Sequence, residues 1–395
     1  MDVDPAIAFL GYLTSSDRVL SDPSLSLADN RMQHGYVGAL RGEFSDVTVF
    51  SSVPSSLRQG SAPVDGDDDG VPVRHLGAPT GRLPFAKLVP LVRELSDWAR
   101  RRPGQPKVLV HYNTFLLYCL AGLWLGRRYG VRIVPIAITL PYSAPDSTPT
   151  LSGRIQARLS GRILRSTDGL VAITPFLAEA VNPHVDACVI RGAVPDEALA
   201  APTHGPGTVS SPHRIVYAGN LSQRYNLDAA ISMMEHLPGG EYTLHVYGRG
   251  ALEPLVRAAA AKTADIEFHG AVAEQEVGAV LRDASVLLAL LTPDDHLARY
   301  SFPSKLFESL LSGTPVIATD LAAMDPAMAE HLFVVEDLDP RGLAAVAVRI
   351  CSRTPAQRED AAAAARAYLR ESCTWSSVGR ELRSHFDSLE GAQHA

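Results

Sequence analysis

Lysine is nearly missing from this chain. Of its 36 basic residues only Lys87, Lys107, Lys262 and Lys305 are lysines; the rest are arginines. Cysteine is as sparse. Cys119, Cys188, Cys351 and Cys373 lie far apart with no C-x-x-C pair. That pattern excludes a disulfide framework or a cysteine zinc site and predicts small buried side chains in a reducing compartment. No basic region precedes the first apolar run, so no secretory signal is expected. No apolar run is clean enough for a bilayer span: the longest, 108–126, is interrupted by His111 and Asn113 and reads as a strand followed by a helix. A surplus of positive charge is also absent. The net charge of −7 excludes bulk nucleic-acid binding as an expectation. Neither half carries a G-x-G-x-x-G fingerprint, which argues against a nicotinamide-dependent oxidoreductase.

What is present is length and alternation. The 395 residues, 46% of them hydrophobic, suffice for two domains with substantial cores. Short β-rich runs at 6–11, 46–50, 107–111, 132–138, 169–174 and 187–191 alternate with helical patterns at 30–43, 84–101, 114–129, 151–165 and 175–181. The alternation predicts α/β units built on a parallel sheet. A Pro-, Gly- and Ser-rich segment, 201–213, reads as a linker. Strands then recur at 214–219, 242–248, 265–270, 285–291, 315–319 and 331–335, with helices between them. A last helix, 374–388, carries Val378, Leu382 and Phe386 at steps of four. The expected domains are 1–200 and 214–373, both Rossmann-like, with 374–395 crossing back to the first. The run Asp67-Asp68-Asp69, within 53–79, is expected to be a solvated loop and not a metal site.

Charge is uneven. From 85 to 165 there are 13 basic residues and three acidic ones. Arg154, Arg158, Arg162 and Arg165 form one stripe of the 151–165 helix, beside Ile155, Leu159 and Ile163. Such a face suits an anionic membrane surface or an anionic acceptor.

The segment richest in chemistry is SFPSKLFESLLSGTPVIATD, 301–320. Ser301 or Ser304 is placed to cap a helix whose apolar face is Phe307, Leu310 and Leu311, and Gly313 ends it. Lys305 and Glu308 fall on the opposite stripe. A helix N-terminus with Ser304 and Lys305 can hold a phosphate. Glu308, one turn on, can accept hydrogen bonds from the two hydroxyls of a ribose.

These residues, Pro303-Ser304-Lys305, Phe307-Glu308 and Gly313-Thr314-Pro315-Val316-Ile317, resemble the P-S-K-x-x-E…G-x-P-V-I element of the retaining glycosyltransferases of family four. The resemblance implies a GT-B fold, two Rossmann-like domains facing each other across a cleft. It implies transfer of a sugar from a nucleotide-diphosphate donor, UDP being the expected nucleotide, to a hydroxyl acceptor. Glu308 would bind the ribose, and Arg224 and Lys305 the departing diphosphate. Asn220 stands where many members have an arginine. Tyr300 stands where many have a second glutamate, so Asp294, Asp295 or the backbone near Ser301 would take over the sugar contact. Gly219 ends the strand before Arg224. Gly248 and Val272 would line the base pocket, with His269 structural. On the acceptor or sugar side the resemblance points to His111 or Asn113 at the end of the third strand and to the 21–40 loop, where Ser26, Asp29 and Asn30 can also cap a helix.

No metal and no cofactor is expected; the nucleotide-sugar is a co-substrate. The acceptor would be a small molecule or a lipid-linked glycan, and the protein cytoplasmic, with the basic 85–165 region as a peripheral membrane contact. Two alternatives stay open: a nucleotide-sugar 2-epimerase of the same fold, and a non-catalytic partner subunit that keeps it.

Overall fold

The computed structural model describes residues 4–22, 25–52, 63–76, 87–140, 151–200, 212–292, 298–391. It divides into two compact units, one of residues 1–193 with 375–395, the other Val194–Thr374. Residues 194–200, which the sequence pattern assigns to the first half, therefore belong to the second unit. Most of the 201–213 linker lies outside the described residues.

Unit 1 begins with β1 (Ala6–Gly11), fully buried along its length. Then come α1 (Ser16–Ser21), α2 (Leu27–Glu43) and β2 (Val47–Ser51). The next strands, β3 (Val64–Asp68) and β4 (Val71–His75), correct the expected solvated loop. They pair antiparallel around Asp69-Gly70, both at positive φ, and β4 runs parallel to β2. An Asp-Gly pair is a strong hairpin signal. The three aspartates are each engaged. Asp67 accepts from Gly70 N–H, Asp68 is buried 3.1 Å from His75, and Asp69 accepts from the Ser16 N–H and hydroxyl at 2.8 Å.

The unit continues with α3 (Leu88–Arg100), β5 (Lys107–Tyr112), α4 (Leu116–Tyr129), β6 (Arg132–Ala137), α5 (Leu151–Leu164), β7 (Leu170–Ala172), α6 (Pro175–Val181) and β8 (Ala187–Val189). The apolar stretch 108–126 is thus β5 and α4. Among the described residues no helix is long and apolar enough to cross a membrane. The sheet order is β3-β4-β2-β1-β5-β6-β7-β8, parallel except for β3.

Unit 2 opens with α7 (Asp196–Ala200) and alternates β9 (His213–Asn220), α8 (Leu227–Met233), β10 (Tyr242–Arg249), α9 (Glu253–Ala260), β11 (Ile266–Gly270), α10 (Glu274–Arg282), β12 (Val286–Ala289), α11 (Lys305–Ser312), β13 (Val316–Thr319), α12 (Pro326–Ala329) and β14 (Phe333–Val335), before α13 (Pro340–Cys351) and α14 (Pro355–Ser372). Its sheet order is β11-β10-β9-β12-β13-β14, all parallel. Numbered within the unit this is 3-2-1-4-5-6, the Rossmann order, whose ligand crevice lies outside the carboxyl ends of the two strands where the order reverses. Here those are β9 and β12; in unit 1 they are β1 and β5.

The final helix, α15 (Trp375–Gly391), belongs to unit 1. Val378, Leu382 and Phe386 are at most 2% exposed and share a core cluster with Val37, Leu40 and Phe44 of and beside α2. The two helices approach closely because Gly35 and Gly379 carry no side chain. A Cβ at Gly35 would enter the Trp375 ring, and one at Gly379 would press on the Ala39 carbonyl. Arg383 reaches Asp4 at 2.6 Å and also the Glu43 carbonyl.

Candidate functional site

The residues expected to handle a diphosphate gather at the β9/β12 switch point. β9 ends at Gly219-Asn220, and the chain turns through a short 3-10 segment, Gln223–Tyr225, into α8. Asn226, at φ 45°, clamps that turn to the end of β12: its amide donates to the Leu290 carbonyl and Thr292 hydroxyl, both at 3.1 Å. The Arg224 carbonyl accepts from Thr292 N–H at 2.9 Å. Its guanidinium reaches the Ser301 hydroxyl at 3.5 Å. The Arg224 turn and the irregular segment just before α11 therefore lie side by side.

Lys305 opens α11 and folds back over the end of β9. Its ammonium donates to the Ala218 carbonyl at 3.2 Å and sits 5.8 Å from the centre of the Tyr225 ring. Burial holds this ammonium below the usual lysine range, and the Glu308 carboxylate partly offsets that. Gly219 leaves the room Lys305 occupies, since a Cβ there would collide with Nζ. Glu308 is exposed one turn along. Ser304 is exposed at the N-cap position, but its hydroxyl makes no cap bond, because its own backbone is already helical. Ser304 thus forms no cap, and the Ser301 hydroxyl meets Arg224. Tyr300 ends a 3-10 turn, Ala298–Tyr300, and is half-buried; Asp294 and Asp295 lie outside the described residues.

Gly248 and Gly250 have a structural reason of their own. Their φ values are 138° and 156°, and a Cβ would strike the Gly219 carbonyl or the Leu221 carbonyl. They let the end of β10 lie against the end of β9, where Asn220 is exposed and its carbonyl accepts from the Tyr217 hydroxyl at 2.5 Å. Val272 is half-buried against the α10 and α11 core cluster. His269, read from sequence as structural, joins a cluster with His245 and Glu267 that the sequence pattern did not reveal.

In unit 1 the β1/β5 switch point carries Tyr12, Asp29 and Tyr112; of these three the sequence offers only Asp29, on the 21–40 loop, as a contact or a cap. The cap is Ser26, which accepts from the Asp29 N–H. The Tyr12 hydroxyl donates to Asp29 at 3.3 Å, and burial raises the Asp29 carboxyl above its usual range while bonds from Tyr12, Ser26 and Tyr112 pull it down. Two expected contacts are engaged internally. Asn30 is buried, donating to the Thr14 carbonyl and accepting from its N–H, so it shapes the loop after β1 and presents no free amide. His111 is fully buried beneath the edge. Its Nδ1 meets the Asn113 carbonyl at 2.9 Å, Nε2 has no partner among the described residues, and burial pushes it down to about 4. Asn113, at φ 74° and half-buried, is the one of the pair on the rim.

Residues 30–187 match the glycosyl transferase 4-like domain, and residues 212–353 match the glycosyl transferases of group 1. Together they span about three quarters of the chain. No curated protein sequence matches it. Among solved structures, sucrose-phosphate synthase from Thermosynechococcus elongatus is similar at 15% identity and a TM-score of 0.64, over 98% of this chain and 100% of that one. The lipopolysaccharide outer core galactosyltransferase WaaB is similar at 14% and 0.62, over 97% and 99%. HepE from Anabaena, in complex with UDP, is similar at 12% and 0.65, over 97% and 100%. At these identities the likeness speaks for the fold, and the two domain matches speak for the family. The chain belongs to the group 1, family-four glycosyltransferases and has their GT-B fold.

Proposed function

We propose that the protein is a retaining transferase that moves a sugar from a UDP-sugar to a hydroxyl acceptor in glycan or glycosylated natural-product assembly. The carrying observation is the meeting of Lys305, Arg224 and Gly219 at the unit 2 switch point, with Glu308 one turn further. UDP is favoured because structural neighbours were solved with UDP or UDP-glucose.

In this reading the bond from the sugar's anomeric carbon to the diphosphate breaks and a bond to the acceptor oxygen forms on the same face. The acceptor's proton passes to the departing phosphate oxygen, so no protein base is needed. Arg224 would grip the diphosphate bidentately and Lys305 as a point charge, stabilising charge that grows as the bond breaks. Glu308 would hold the ribose hydroxyls. The exposed Leu151, Ile155 and Leu159, 77%, 50% and 47% accessible on α5, lie among Arg154, Arg158 and Arg162. This supports a lipid-linked acceptor reached at a membrane surface.

Glu308→Ala should raise donor KM sharply with folding intact, and normal turnover in that variant would count against the assignment. A thermal-shift screen with nucleoside diphosphates should show UDP raising the melting temperature most. Product formed from the nucleotide-sugar without acceptor would instead indicate the epimerase.

A further inference from the structure

Two strands away from that switch point, unit 2 holds a second cluster of chemically active groups. In the parallel pair β10/β11, His245 lies opposite Glu267 in register. Thr243, His245 and Tyr247 alternate onto one face of the sheet, and Glu267 and His269 of β11 fall on the same face. The ligand atoms converge. His245 Nδ1 is 2.9 Å from His269 Nε2 and 3.5 Å from a Glu267 carboxylate oxygen, and that oxygen is 3.4 Å from His269 Nε2. Metal–ligand bonds of about 2.0–2.1 Å in a tetrahedral site place neighbouring donors roughly 3.3 Å apart. The three atoms already form a triangle of that size.

The surroundings suit a ligand set. The far nitrogen of His245, Nε2, is bonded to the Thr243 hydroxyl at 2.9 Å, which fixes the ring and leaves Nδ1 facing the cluster. Metal-bound histidines usually have such an outer partner. His269 is stacked on Tyr247 at 4.3 Å between centroids and 11° between planes, so its ring is held from the other side. His245 is 6% exposed while Glu267 and His269 open to solvent, which leaves a coordination position for water. Arg214 lies beside the cluster, donating to the Tyr247 hydroxyl at 3.4 Å.

We propose that His245, Glu267 and His269 bind one divalent transition-metal ion of the zinc class. The ion would clasp the edge strand β11 to β10 just before the Gly270–Val272 turn. It would act as a structural clasp, since the cluster stands apart from the β9/β12 switch point. Two imidazoles and one carboxylate suit zinc or its neighbours over magnesium or calcium, which prefer all-oxygen sites.

The test uses the untagged full chain, stripped with chelator and titrated with zinc by calorimetry, then with cobalt(II) followed by visible absorption. The expected result is one equivalent, a four- or five-coordinate cobalt spectrum, and a higher melting temperature with zinc. Glu267→Gln and His269→Gln alter exposed side chains and should leave the circular dichroism spectrum unchanged while weakening binding by more than about tenfold. Absence of binding below millimolar zinc, or binding unchanged in both variants, would overturn the proposal. The readout needs no sugar transfer, so its failure leaves the donor-site reading standing, and the reverse holds too.

Discussion

Lys305 is a cation placed where it costs stability. Burial lowers its pKa, so the folded state binds its proton less readily than the unfolded chain does. The sign follows: below the folded pKa the cost is fully present, and stability rises with pH through the window between that value and the ordinary 10.5. A diphosphate would relieve the cost. Lys305→Met should therefore keep or raise the unfolding midpoint in urea while lowering kcat by about 10²–10³, the scale for losing one such charge. His111 works in the opposite pH range. Its buried ring stays neutral down to about 4, whereas the unfolded chain takes up the proton near 6.5. Stability from this residue is intact above about 6.5 and declines toward pH 4, by roughly 3 kcal/mol at most. His111→Gln should flatten the pH dependence of the melting temperature in that interval. Sequence marked both residues by position but could not tell a rim group from a buried one. That distinction depends on which face of β5 the side chain takes and on the α4 residue Tyr118 that packs against it.

Helices and strands were the more legible scale. Periodicity located α6 at 175–181 and put α15 within a residue of its start, because apolar spacing and capping act locally. Short pieces escaped: α1, α7 and α12 have too few turns to show a period. The β3/β4 hairpin escaped because acidic strands at a sheet edge lack the apolar alternation that marks buried ones. The His245–Glu267–His269 cluster needs the register of two neighbouring strands, which no single-strand pattern contains. Packing between helices makes a sharper prediction. Gly35→Val should push Trp375 off α2, costing about 2–3 kcal/mol in chemical unfolding by the usual scale for overpacking. Gly38, on the same helix with open space around it, should accept alanine without loss.

At the scale of the molecule, the −7 total conceals a strongly basic region in unit 1. With α5 exposing both arginines and aliphatic side chains, the protein should sediment with anionic vesicles at low salt and release as salt rises. Ile155→Glu with Leu159→Glu should cut that binding by about tenfold or more and leave neutral vesicles unaffected. Unit 2 is also an insertion within unit 1, whose core is closed by residues on both sides of it. During synthesis the first 193 residues must therefore wait for the whole of unit 2 to be translated before α15 arrives. At about 5–20 residues per second that delay is roughly 10–40 s. Until then Val37, Leu40 and Phe44 lack their partners on α15, so the nascent chain offers chaperones a defined apolar target. A circular permutant that places 375–391 ahead of β1 would remove the wait.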